Sequence, residues 1–309
     1  MKPRILYFTG GIFSILFFFA ACQKEDITAT DYISEVTNQG DDHSRFSSEI
    51  DAVANDVNAA IEITAGFASR TGDILSIICD ADIIADTLGN MRTITISYSG
   101  ANCNSGRTRT GSIVISMAQG VRWKNGGAVL SVNFQNLKVT RLSDNKSITI
   151  SGIQTFTNVS GGLLINLPAV GTITHTITSN LMTITLDNGA KRTWQVARRR
   201  VYSLNNGIVI TTTGTYTEGT ITGISEWGSN RFGNPFTCTI LQPMIIRQGC
   251  NFRLVSGKIA HITKLFNAAV NFGLDSSGSP ISCPSNKAFY LKITWRGPSS
   301  IAREVNLPY

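Results

Sequence analysis

The sequence predicts a mainly β fold: a large antiparallel meander, curled or folded into two layers, with one N-terminal helix. Three observations carry this reading. Thr, Ser, Ile, Val and Gly dominate from about residue 74 onward, which suits strands joined by turns. Apolar residues there alternate with Thr and Ser, so one face is buried and the other wet, as in antiparallel sheets. Asn/Asp/Gly clusters separate the alternating runs. With 42% hydrophobic and only 15% charged residues, the chain can build a core, and global disorder is excluded.

The elements follow in order. Residues 23–43 are polar and read as a flexible tether, so the tether is placed at 22–43. Phe46, Ile50, Val53, Val57 and Ile61 share one helical face, with Ser44 as N-cap and Gly66 and Gly72 near the end. This places a helix within 44–72 and a β domain over 73–309. Ile94, Ile96 and Tyr98 form an alternating strand, as do Ile113, Ile115 and Met117. Leu130, Val132 and Phe134 hold one parity and Leu137 and Val139 the other, which predicts a bulge near Gln135-Asn136. Ile148, Ile150 and Phe156, then Ile173, Ile177, Ile184 and Leu186, continue the pattern. Turns are expected at Asn125-Gly126-Gly127, Ser143-Asp144-Asn145, Asp187-Asn188-Gly189 and Asn205-Asn206-Gly207. Residues 148–161 and 210–223 both read strand, Gly, Thr-rich strand, Gly, which is compatible with two similar halves meeting near 190.

Residues 1–21 have a basic start (Lys2, Arg4), an apolar stretch from Ile5 to Phe19 and small residues Ala20-Ala21 before Cys22. That is the order of a secretory signal. The stretch is shorter than the roughly 20 residues that span a bilayer. Phe19-Ala20-Ala21-Cys22 resembles the lipobox of bacterial lipoproteins, with Phe19 where that motif usually carries Leu. The resemblance implies acylation of Cys22 and attachment to the membrane through the lipid. Gln23-Lys24-Glu25-Asp26 is similar to the surface-export tag of Bacteroidetes lipoproteins, which implies an outer-membrane location on the periplasmic or cell-surface face.

Charge is divided along the chain. Residues 22–91 carry fourteen acids against Lys24, Arg45 and Arg70, a net of −11; residues 92–309 carry 22 Lys/Arg against six acids, a net of +16. A basic body favours contact with polyanions such as phosphorylated lipopolysaccharide or acidic glycans. The alternative is that the acidic segment packs on the basic body and cancels it. Besides Cys22 there are five Cys, which in an oxidising compartment can pair. Cys79 with Cys103, and Cys250 with Cys283, would each tie a strand to a neighbouring loop. Cys238 is then left over as a small buried residue. The alternative is a zinc site, but there is no C-x2-C pair and the three His are scattered, so neither metal nor cofactor is expected.

Two basic stretches are candidate ligand sites. Arg107 and Arg109 lie on one side of a strand and could grip a phosphate or carboxylate. Arg192, Trp194, Arg198 and Arg200 share a strand face, and Trp194 among these Arg could stack on a sugar or base. The competing readings are solvated edge charges and a charged rung with Trp194 packed beneath the Arg stems. Trp123, Trp227 and Trp295 fit sugar contacts or core positions equally well. No nucleophile elbow, phosphate loop or H-E-x-x-H motif is present; His43, His175 and His261 are far apart. No catalytic residues are expected.

From Cys79 through Thr93-Ile94-Thr95-Ile96 to Cys103 and Gly106-Arg107-Thr108-Arg109-Thr110-Gly111, then Gly152-Ile153-Gln154-Thr155, Thr193-Trp194, Cys250, Ser256-Gly257 and Cys283, the order of features is similar to a family of uncharacterised Bacteroidetes lipoproteins. The resemblance spans roughly residues 75–309. It implies the fold class and the two Cys pairings, and no function. Pro284-Ser285-Asn286 stands where that family carries an acidic residue and Asn, so no ion or ligand role is carried over there. The expectation is a lipid-anchored envelope protein that binds a glycan or anionic polymer without catalysis. A structural or assembly component contacting another envelope protein is the alternative, and a hydrolase the remote one. No specific nucleic-acid partner is expected.

Overall fold

The computed structural model describes residues 29–65, 78–88, 90–103, 106–283, 288–296 and 302–309. The expected export signal, Cys22, the first part of the expected tether and residues 66–72 lie outside them. Helix α1 spans Ala29–Ala65. Sixteen strands follow: β1 (Ala81–Asp86), β2 (Met91–Ser99), β3 (Arg107–Ala118), β4 (Ala128–Arg141), β5 (Ser147–Asn158), β6 (Thr172–Ser179), β7 (Met182–Thr185) and β8 (Lys191–Leu204). The remainder are β9 (Ile208–Gly214), β10 (Tyr216–Glu218), β11 (Ile221–Ser229), β12 (Pro235–Arg247), β13 (Arg253–Thr263), β14 (Asn267–Leu274), β15 (Tyr290–Arg296) and β16 (Ala302–Pro308).

All sixteen belong to one antiparallel sheet, ordered β1-β2-β3-β4-β5-β6-β8-β11-β12-β13-β14-β15-β16. β6 and β7 both pair with β5 and β8, at different positions along them. β9 and β11 likewise share the lane between β8 and β12. The sheet is therefore a thirteen-lane meander in which two lanes are each built from two collinear strands. It crosses residue 190 without a break, since β8 pairs with strands on both sides of that point.

The sheet bends where its register breaks. β4 bulges between Phe134 and Leu137, as the parity switch predicts, and Asn136 sits at a φ of 52°. Opposite the bulge, Gly111 on β3 has a φ of 94°, and a Cβ there would run into the Asn136 carbonyl. A second bend crosses β12–β14, where register shifts fall at Gln242/Ile245 and Asn271/Leu274. Bulges and glycines at such corners add twist and curl a sheet.

The concave face closes on α1. From residue 33 to 64 only Ser34 and Ser48 are exposed. Val36, Phe46, Ile50, Val53, Val57 and Ile61 join one core with Ile96, Phe134, Ile150, Trp194 and Ile293, side chains drawn from strands across the sheet. This corrects the expected boundaries. Residues 29–43 are helix rather than tether, the helix begins well before 44, and Ser44 is a buried mid-helix residue instead of an N-cap. The buried stripe continues upstream at helical spacing through Glu35, Gln39 and Asp42, which are polar. A search for apolar periodicity passes over such a stripe.

Candidate functional site

The six basic and aromatic candidates fall on the concave face or its rim, and α1 supplies most of their partners. Arg109 forms a two-point pair with Asp80 at 2.7 and 2.6 Å, and donates to Asp56 at 2.8 Å and Glu49 at 3.3 Å. Arg107 pairs with the other Glu49 oxygen at 3.1 Å. Asp56 also accepts from Tyr98 at 2.8 Å; burial raises its carboxyl pKa, and Arg109 pulls it back. Arg198 donates to Ser47, Asp51 and Glu226, and Arg200 to Asn55 at 3.1 Å. Arg192 donates to the Asn230 and Arg231 carbonyls. Trp194 is buried and gives its indole N–H to Glu226 at 2.6 Å. Further along α1, Asp41 pairs with Arg141 and Asp42 with Arg231, both at 2.6 Å. The acidic N-terminal segment thus packs on the basic body and neutralises the arginines that face it, while the cations on the outer face stay uncancelled by it. Trp123 and Trp295 are core residues, while Trp227 stacks on exposed Tyr216 at 4.3 Å.

The cysteines pair as Cys79–Cys103 and Cys250–Cys283, with Cα separations of 5.8 and 5.3 Å. Cys238 is free and buried. It is not isolated. Its Sγ lies 3.4 Å from His43 Nε2, and the same nitrogen lies 3.3 Å from Glu226 Oε1. His261 packs edge-on against His43 at 4.5 Å, and neither of its ring nitrogens has a hydrogen-bond partner. Burial alone would lower His43; Glu226 and then Cys238 reverse this and push it up to about 10. Burial likewise raises Glu226, yet His43 and Arg198 hold it well below the usual carboxylate range. Burial, then His43, depresses His261 far below its ordinary value. In the sequence the three His are far apart. The sheet brings His43 and His261 together because α1 runs beneath β12 and β13, whereas His175 sits apart between Trp123 and Tyr202. The one sequence signal was the parity shared by Phe236 and Cys238 on one strand and by Ile259 and His261 on the next.

The convex face carries a different feature. An open groove of about 920 Å³ lies over β12–β16, beside the loop 275–283. The loop is held by the Cys250–Cys283 disulfide, by Ile281 N–H to the Gly273 carbonyl at 3.0 Å, and by Asp275 Oδ1, which accepts from the Ser277 and Ser279 amides. One rung of register-paired residues runs across this face: Gln242, Lys258, Asn271, Lys292 and Asn306. Gln242, Asn271 and Lys292 of this rung line the groove. Lys292 bonds Glu304 at 2.7 Å, and Glu304 is the one carboxylate among the groove's described lining residues. Arg247 adds a cation at one end. This set offers ammonium and amide donors side by side and lacks the paired carboxylates that glycoside hydrolysis needs.

Among the described residues, no helix is long and apolar enough to cross a membrane. No protein-family model, curated protein or solved structure matches the chain.

Proposed function

We propose that this is a lipid-anchored envelope protein that binds an acidic glycan, without catalysis, in the convex groove over β12–β16. The observation that carries the reading is the polar rung Lys258, Asn271 and Lys292, of which Asn271 and Lys292 line a groove of the size that holds a ligand of several rings and Lys258 is the next residue of the rung beyond Asn271. Two disulfides support an exported, oxidising setting. The lipobox-like Cys22 supplies the anchor, through the resemblance already given. We favour the convex face because Arg107, Arg109, Arg198 and Arg200 are paired with α1 and Arg192 with carbonyls of the β11–β12 turn. The strand spacing of about 4.8 Å sets Lys258 and Lys292, two strands apart, near 10 Å from each other, comparable to two sugar units along a chain.

The test is retention of the soluble chain on columns of an anionic polysaccharide, heparin or polygalacturonate, eluted with salt. The Lys258→Ser/Lys292→Ser double variant should elute at clearly lower salt than the parent, because each lost cation removes a counterion-releasing contact. Arg199→Ser, on the exposed face of β8, should elute with the parent. Unchanged retention of the double variant would overturn this placement of the ligand.

A further inference from the structure

We infer that His43, Cys238 and His261 form a buried transition-metal site, with Glu226 as fourth donor, that fastens α1 to β12 and β13. Potential donor atoms of the two His and the Cys all lie within 4.8 Å of one another, and all three residues are buried. Two histidines, a thiolate and a carboxylate are a donor set for Zn²⁺ or another borderline divalent ion. Around such an ion, neighbouring donor atoms are separated by roughly 3.3–3.7 Å, as follows from metal–ligand bonds of about 2.0–2.3 Å. The His43–Cys238 and His43–Glu226 separations, 3.4 and 3.3 Å, are of that size.

Three further observations favour a metal. His261 is sealed from solvent with both ring nitrogens unpartnered, which is costly unless something accepts a bond from it. The surroundings are arranged as an outer shell: Ser225 Oγ lies 3.8 Å from Cys238 Sγ, and Trp194 and Arg198 fix the Glu226 carboxylate. A Cys–His–Glu nucleophilic relay would use the two ring nitrogens of His43 separately. Here Cys238 and Glu226 both face Nε2 while Nδ1 has no partner, and the cluster has no opening for a substrate. The site is independent of the convex groove, so either proposal can fail alone.

The test uses the full chain with both disulfides intact, unfolded in guanidinium and refolded with Co²⁺ or Zn²⁺, then dialysed. The expected result is one retained metal per chain and, with Co²⁺, a thiolate-to-cobalt charge-transfer band with intense visible bands of tetrahedral geometry. Cys238→Ser keeps the side-chain volume and should abolish the charge-transfer band. His261→Gln should weaken retention by roughly tenfold or more. The wild-type spectrum decides even if a variant fails to fold. Folded wild-type protein that retains no metal, or that retains Co²⁺ with no thiolate charge-transfer band, would overturn the proposal.

Discussion

Arg109 shows what the interior asks of one side chain. Its guanidinium meets carboxylates from α1 and from the segment before β1, and lies 4.2 Å over the Tyr98 ring. Removing it leaves Glu49, Asp56 and Asp80 close together with too few counter-charges. Arg109→Met should therefore cost about 3–5 kcal/mol in urea unfolding, the range for breaking a buried pair from one side. Its side of the strand was legible in the sequence; its partners were not, because they lie 29 to 60 residues away. His175 is the residue-scale case for pH. Burial, and then Arg200, lower its pKa to about 3. Its unfolded value is near 6.5, so it favours the folded state fully above pH 6.5, and that contribution is lost as pH falls toward 3. The full shift corresponds to roughly 4–5 kcal/mol. His175→Phe, between Trp123 and Tyr202, should flatten the fall in stability over that window, read from urea midpoints at a series of pH values. A variant whose acid limb parallels the parent's would contradict the assignment.

At the scale of elements, the strands were legible and the helix only in part. Period-two alternation marks strands whose buried face is apolar, and most of the sheet obeys it, including the bulge at Gln135-Asn136. The upstream half of α1 buries Glu35, Gln39, Asp42 and His43 against Asn230, Arg231 and Cys238, so its inner stripe carries no hydrophobic period. The metal-ligand candidates were hidden for the same reason. The bulge makes its own demand on β3. Gly111→Ala would force a side chain into a left-handed backbone and into the Asn136 carbonyl at once. A loss of about 3 kcal/mol or more is expected, visible as a lowered melting temperature. A change below about 1 kcal/mol would mean that the bend is not held where β3 and β4 meet.

For the whole molecule, the split of charge between the first and last parts of the chain is a folding device. Fourteen acids precede residue 92, and Asp41, Asp42, Glu49, Asp51 and Asp56 of α1 pair with arginines from β3, β4, β8 and the β11–β12 turn. The net charge that remains belongs to the outside, where the lysine rung over β12–β16 lies. Replacing both Cys250 and Cys283 with Ser should release the loop beside that rung and cost about 3–4 kcal/mol on the chain-entropy view of a 33-residue loop. Retention on an anionic polysaccharide should fall with it. The fold class was legible from pattern; the two Cys pairings were candidates that the resemblance implied, and the connectivity itself was not legible from spacing. The groove was not, since it depends on register across five strands, and register is set by bulges that only partly declare themselves in sequence.

The central claim is that the acidic helix is the inner core of the β body, pairing Arg107, Arg109, Arg198 and Arg200 from within. Amide hydrogen exchange of the full chain tests this most directly. If the claim holds, amides of residues 36–62 exchange only through global unfolding, as slowly as those of β4 and β8. Exchange of that segment at the rate of a frayed or peripheral helix, while the sheet stays protected, would contradict it.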